Sequence, residues 1–275
     1  MDELDPTEMS DGEEELISVT TVKSTQRGAK TPILEVTVEP VPVKPPKRPK
    51  EQPRDVLFRV RMGRVNETLR YALRSLSNVP HGEVFIVGYK PPWVSDEVTL
   101  LPDRAKTTIK WRAGLEQFAL GCDQLRGRNL ILIDDDMFIV NPVDSIEVMH
   151  AGPLVQIAKR KVGAYGRTFQ NTVAYLKEQG IDDPLSYERH VPLPVDATHA
   201  ADILLAVMKW GKTTQPRSVY GNMAHIEGVQ IRDAKRKPGE PMPADFLSVD
   251  PGTWSRGWND VIRKLFPKRS KYEVK

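Results

Sequence analysis

Three consecutive acids, Asp134, Asp135 and Asp136, follow directly on Asn129-Leu130-Ile131-Leu132-Ile133, the most hydrophobic strand-like run in the chain. Hard carboxylate oxygens bind divalent cations such as Mg2+ or Mn2+, and such a cation can neutralise the charge that develops on a departing diphosphate. In an Asp-x-Asp turn one carboxylate reaches the metal while the other orients a ribose hydroxyl or a bound water. Asp134 and Asp136 are therefore expected to hold the metal, with Asp134 also on the donor. Asp135 points elsewhere in such a turn and is expected on the catalytic side. Aspartate is also a common turn residue. Yet three like charges beside a buried strand repel one another unless a cation or hydrogen-bond donors compensate. Met137-Phe138-Ile139-Val140 returns at once to apolar character, so the acids do not belong to a general charged tail.

Two further segments carry chemical capacity. In Glu188-Arg189-His190-Val191-Pro192-Leu193-Pro194 a histidine precedes two prolines that stiffen the chain, which suits a loop holding an imidazole in place. His190 could ligate a metal, act as general base on a hydroxyl, or donate to a phosphate oxygen. The bland alternative is a structural histidine. In Arg217-Ser218-Val219-Tyr220-Gly221-Asn222, expected to be turn-like, Arg217 could grip phosphate bidentately, or simply pair with an exposed acid. His225 and Glu227 are weaker candidates.

The elements that must position these residues read as alternating strands and helices. A strand is expected from Asp55, with Val56, Phe58 and Val60 alternating against Leu57 and Arg59. A helix follows with Val65, Leu69, Leu73 and Leu76 on one stripe and Arg70 and Arg74 off it. Val84-Phe85-Ile86-Val87 is apolar on both faces, as a buried parallel strand must be. Val98–Leu101 reads as a weak strand. A helix then carries Ile109, Leu115, Phe118, Ala119, Cys122 and Leu125 on one side, which makes Cys122 a core thiol. The acidic block thus sits at the carboxyl end of a strand in an open parallel sheet, where ligands of such sheets bind. A helix is expected over His199–Trp210, and a capping helix with Val261, Ile262 and Leu265 packed on the core. The mixture of aromatic residues and seven cations in Trp254–Lys275 could also suggest nucleic acid.

Composition bounds the rest. The 275 residues suit one sizeable α/β domain plus appendages. Residues 1–54 are expected to form a flexible arm. Met1–Glu15 carries eight carboxylates and no cation, which suits disorder; a possible hairpin lies between Ile17 and Val43, and a proline- and lysine-rich linker spans 40–54. The single catalytic domain is expected over 55–275, with 55–145 as the nucleotide-binding half and 146–275 as acceptor side and cap. A formal charge of +3, from 40 basic and 37 acidic side chains, does not call for a nucleic-acid partner. One cysteine allows no intramolecular disulfide and no Cys-x-x-Cys zinc site. No apolar run is long enough to span a bilayer, and the acidic start lacks a signal peptide's basic-then-apolar pattern, so the expected compartment is the cytoplasm. No Gly-x-Gly-x-x-Gly, Walker A or Gly-x-Ser-x-Gly motif is present, which argues against a dehydrogenase, a nucleoside triphosphatase or an α/β-hydrolase.

Taken in order, these blocks resemble a group of phage and bacterial glycosyltransferases related to the Stealth family of sugar-phosphate transferases. The resemblance is carried by Asn66-Glu67-Thr68-Leu69-Arg70-Tyr71-Ala72-Leu73-Arg74-Ser75-Leu76, Pro92-Trp93, Ile133-Asp134-Asp135-Asp136-Met137-Phe138, His190-Val191-Pro192-Leu193-Pro194 and Arg217–Asn222. Phe246-Leu247-Ser248 and Leu265–Glu273 complete it, so that it covers roughly residues 55–273. It implies a GT-A-like, Rossmann-like fold with a mostly parallel sheet flanked by helices. It further implies a nucleotide-sugar donor, a glycan or protein acceptor, a divalent metal (Mn2+ or Mg2+), and His190 and Arg217 at the reacting phosphate or sugar. For a phage-borne chain the compartment becomes the host cytoplasm. Arg59, Arg61, Asn66, Arg70, Lys110 and Asn222 are expected to join Asp134 in donor binding. Stealth phosphotransferases carry an acidic motif at the end of the first strand, where this chain has Arg59-Val60-Arg61. The expected reaction is sugar transfer to an acceptor hydroxyl. Sugar-1-phosphate transfer is the nearest alternative, and a non-catalytic module binding sugar or nucleic acid the more distant one.

Overall fold

Apolar side chains on both faces of four short strands require helices on both sides of the sheet they form, and this is the architecture of the computed structural model. It describes residues 52–61, 65–102, 107 and 109–274. The acidic segment, the hairpin between Ile17 and Val43, and the linker as far as Glu51 lie outside the described residues.

The chain runs β1 (Asp55–Val60), α1 (Glu67–Ser75), β2 (Val84–Gly88), β3 (Val98–Leu101), α2 (Lys110–Gln124), β4 (Asn129–Asp134), β5 (Met137–Ile139), β6 (Met149–His150), α3 (Leu154–Arg160) and α4 (Gly163–Glu178). It continues through β7 (Leu193–Asp196), α5 (Ala197–Trp210), α6 (Pro216–Met223), β8 (Val229–Gln230), β9 (Phe246–Ser248), α7 (Pro251–Thr253) and α8 (Asn259–Leu265). The main sheet has the order β3-β2-β1-β4-β7. Its first four strands are parallel and β7 is antiparallel at the edge.

Side chains alternate between two cores. Val56, Phe58, Val60, Ile131 and Ile133 pack with Leu69 and Leu73 of α1, with Leu76 just after it, and with Ile262 of α8. Leu57, Leu130 and Leu132 pack on the other face with Phe118 and Cys122 of α2 and Leu204 of α5. Cys122 is fully buried, and the same burial pushes its thiol well above the usual range, as expected of a core residue. After β1 the chain moves outward to β2 and β3, then crosses to place β4 on the opposite side of β1. The strand order therefore reverses between β1 and β4, which makes a crevice at their carboxyl ends. Arg59 and Asp134 lie opposite each other there in register.

Several local expectations differ from what forms. Val65 and Ile109 precede α1 and α2 and are exposed, so neither joins its helix's apolar stripe. His190-Val191-Pro192 leads into a strand: Leu193–Asp196 pairs with β4, and Pro194 is tolerated because β7 is an edge. Arg217–Asn222 is helical, started by Pro216, which needs no amide partner at the first position. In the C-terminal helix Ile262 is buried, while Val261 and Leu265 are largely exposed.

Candidate active site

β4 delivers the acidic block. Its last residue, Asp134, is followed by a turn at Asp135 and Asp136 before β5 returns to the core. The three carboxylates are compensated unequally. Arg59 grips Asp134 in a bidentate pair, with Nε 2.8 Å from Oδ1 and Nη2 2.9 Å from Oδ2, while Nη1 donates to the Gly114 carbonyl. Burial pushes the Asp134 carboxyl up, but the charges of Arg59, Arg217 and His190 and the Arg59 hydrogen bond bring it below the usual range.

Asp135 accepts from the Asn66 side-chain amide at 2.9 Å; burial raises its carboxyl above the usual range despite that bond. Asn66 itself takes a left-handed backbone, φ 44°, at the entry to α1, a conformation asparagine adopts more readily than most residues. The Asp136 side chain has no hydrogen bond or ion pair among the described residues. Burial, and then the charges of Asp134 and Asp135, push it up to about 7 against the opposing pull of His190 and Lys235. A cavity of about 270 Å³ opens here, lined by Arg61, Asn66, Thr68, Asp135, Asp136, Val249 and Pro251.

His190, just before β7, faces this block. Its Nδ1 lies 2.9 and 3.0 Å from the two carboxylate oxygens of Asp233, and its backbone amide donates to the same residue. Burial works against the Asp233 charge, but the His190 bonds and charge dominate and hold its carboxyl well below the usual range. An ionised Asp233 makes Nδ1–H the donor, which leaves Nε2 as the free basic nitrogen. A second cavity of about 370 Å³ adjoins His190 and Asp233.

Arg217 differs from its expected role. It is buried in α6, and its two terminal nitrogens donate to the backbone carbonyls of Arg189 and Val191, so it clamps the chain on either side of His190. The charges of Asp134 and Glu188 support it, while burial lowers its proton affinity. Asn222 is likewise structural, holding Leu185 and the Ser218 carbonyl. Arg70 turns to the C-terminal tail, pairing with Glu273 and lying 4.3 Å over the Trp93 ring. Lys110 is exposed at the start of α2, and it makes no hydrogen bond or ion pair among the described residues. Arg61 is exposed at the rim of the smaller cavity. The structure thus brings Arg59, Arg61, Asn66, the three aspartates, His190 and Arg217 to one end of the sheet, and leaves Arg70, Lys110 and Asn222 outside that cluster.

Asp233 and Glu188 were not singled out from sequence. Glu188 accepts from the Ser218 amide at 3.1 Å, and burial raises its carboxyl although Arg217 opposes this.

A divalent ion fits here only in a limited sense. Asp136 supplies a half-buried, uncompensated hard oxygen, and Mg2+ is commonly held by one or two carboxylates together with substrate oxygens. Among the described residues, however, no group of three or more His, Cys, Asp or Glu side chains could hold an ion by itself. No helix among them is long and apolar enough to cross a membrane.

The fold and site define a mixed α/β protein whose ionisable groups converge at the strand-order reversal of a mostly parallel sheet. No protein-family model and no curated protein matches the chain. Among solved structures it is similar to the galactosyltransferase LgtC in complex with donor and acceptor sugar analogs, with a TM-score of 0.45 and 10% identity over 79% of this chain and 96% of that one. It is also similar to the apo-form glycosyltransferase GlyE of Streptococcus pneumoniae TIGR4, with a TM-score of 0.41 and 13% identity over 82% of this chain and 66% of that one. These overlaps are too loose to transfer a residue, a ligand or a reaction.

Proposed function

We propose that the chain is a glycosyltransferase that moves a sugar from a nucleotide-diphospho-sugar donor to an acceptor hydroxyl. The observation that carries the reading is the meeting of the acidic turn with the His190–Asp233 pair in the crevice between β1 and β4. Asp233 accepts from Nδ1–H and fixes the ring, so Nε2 takes the proton from the acceptor hydroxyl as its oxygen bonds to the anomeric carbon. The bond from that carbon to the donor phosphate oxygen breaks, and the nucleoside diphosphate leaves. Arg217 is a positioning residue that holds the His190 segment. Arg61 and Asn66 face the donor from the entry to α1. A Mg2+ or Mn2+ ion on Asp136, with Asp134 or Asp135, would offset the charge of the leaving diphosphate. Asp134 is free for that role only when Arg59 turns from it to a donor phosphate.

The test is turnover of a panel of nucleotide sugars labelled at the sugar-attached phosphate, with Mg2+ or Mn2+ and candidate glycan and protein acceptors. Release of labelled nucleoside diphosphate is the expected result. Label arriving on the acceptor would instead show sugar-1-phosphate transfer of the Stealth kind. Absence of any cleavage across the panel, with steeply salt-dependent DNA binding, would return the chain to the class of binding modules.

A further inference from the structure

The larger cavity beside His190 has a composition that the transfer chemistry alone does not require. Its outer edge is the turn from α3 to α4, where Arg160 and Lys161 are exposed and form no ion pair among the described residues. Lys161 lies 5.7 Å over the Tyr165 ring and 5.9 Å over Phe169, which fixes the ammonium beside an aromatic wall. Two cations at a helix end can serve only the helix dipole. Two deeper atoms argue for more. The Oγ of Ser186, a residue only 1% exposed, and the Nε of Arg189 lie just behind the surface of the cavity that both residues line, and neither atom has a hydrogen-bond partner among the described residues. A buried polar atom without a partner is destabilising, and a small shift of the cavity wall that brought a ligand oxygen onto it would remove that cost. The cavity's two acids are already engaged, Asp233 by His190 and, at 4.0 Å, by Nη1 of Arg189, and Glu188 by the Ser218 amide.

We propose that this cavity takes an acceptor sugar bearing an anionic group, a phosphate or a carboxylate, held between Arg160, Lys161 and Arg189 while the ring lies against Tyr165 and its hydroxyl faces His190. The assignment rests on the glycosyltransferase reading for the word acceptor, and on the cavity alone for the anion. At about 370 Å³ the space suits a monosaccharide with a substituent. Gly166 keeps the edge closed: a Cβ there would lie 2.4 Å from the Lys161 carbonyl oxygen, so any other residue would push the cationic turn away from α4.

Saturation-transfer NMR titrations of the full chain with glucose, glucose 6-phosphate, glucuronate and inorganic phosphate test the inference without any donor. At least one anionic sugar should bind ten-fold or more tightly than glucose, and whichever does so identifies phosphate or carboxylate as the recognised group. The Arg160→Gln/Lys161→Gln double variant changes only exposed side chains, so it should keep its fold, checked by circular dichroism, and reduce that preference to under three-fold. Ser186→Ala should weaken the anionic sugar several-fold. Equal binding of glucose, a preference surviving in the double variant, inorganic phosphate binding as well as glucose 6-phosphate, or no binding by any probe would each overturn it. Donor cleavage measured on the same preparation keeps the two ideas apart: an anion preference without cleavage sinks the transferase reading and leaves this one standing.

Discussion

Replacing Glu273 with glutamine should cost about 3 kcal/mol at neutral pH, although the residue lies two positions before the last. The C-terminal tail docks on Trp93 and Val94, and there Glu273 accepts from Arg74 at 2.8 Å and from Arg70 at 2.7 Å while its own side chain is fully buried. Burial pushes its carboxyl up, but the bonds from Arg74, the Ser270 amide and Arg70 more than reverse this and hold it at about 2. The ordinary value is 4.5, and with each tenfold change in proton affinity equivalent to about 1.4 kcal/mol the drop corresponds to about 3 kcal/mol. Because the folded-state value is the lower one, this stability is complete above about pH 5 and is lost as pH falls toward about 2. Urea unfolding of both proteins at several pH values gives the check. The gap between wild type and Glu273→Gln should be constant from pH 8 to 5.5 and narrow steadily below pH 4.5. A gap under 1 kcal/mol at pH 7.5, or one unchanged at pH 3, would refute the reasoning.

Asp233→Asn should lower turnover by a factor of about 100 or more with little change in donor KM, since it removes the acceptor that orients His190; a loss confined to KM would show that Asp233 only binds. Asp134→Asn and Asp136→Asn should move stability in opposite directions. The first strands the half-buried Arg59 charge at a cost of about 2 kcal/mol, the second relieves like-charge repulsion and gains about 1 kcal/mol, and chemical denaturation showing the same sign for both would contradict the charge assignment. Cys122 should resist a disulfide reagent in the native chain and react fully in denaturant; stoichiometric native labelling would mean that α2 does not pack on the sheet as described.

The strands of the parallel sheet were legible because each buried one must be apolar on both faces, and Asp134–Asp136 stood out because they end the strongest of these runs. What escaped has physical causes. Asp233 meets His190 from 43 residues away, in a segment with no periodicity, so nothing local marks it. α6 looked like a turn because Arg217, Ser218, Gly221 and Asn222 are polar or turn-forming types, and nothing local shows that they are buried in a helix. Arg217 drew notice as a cation suited to phosphate, whereas its neighbours turn it into a clamp for two backbone carbonyls. The tail drew notice for its seven cations, yet its anchoring group is the acid Glu273.

The unequal treatment of three adjacent aspartates says most about what the crevice is for. A fold optimised only for stability would neutralise each acid it buries, and Arg59 and Asn66 show that the means were at hand. Asp136 is instead left against two like charges, with His190 and Lys235 supplying only distant attraction. Such a group lowers the stability of the ligand-free chain and strengthens the binding of whatever positive charge or hydrogen-bond donor arrives with the substrate, because the repulsion is relieved only then. The Arg59–Asp134 pair works in the same sense. Under the proposed reaction its guanidinium would turn to a donor phosphate and free a second carboxylate beside Asp136. Binding would then assemble the site's charge arrangement, because Arg59 holds Asp134 with two hydrogen bonds until a phosphate competes for it.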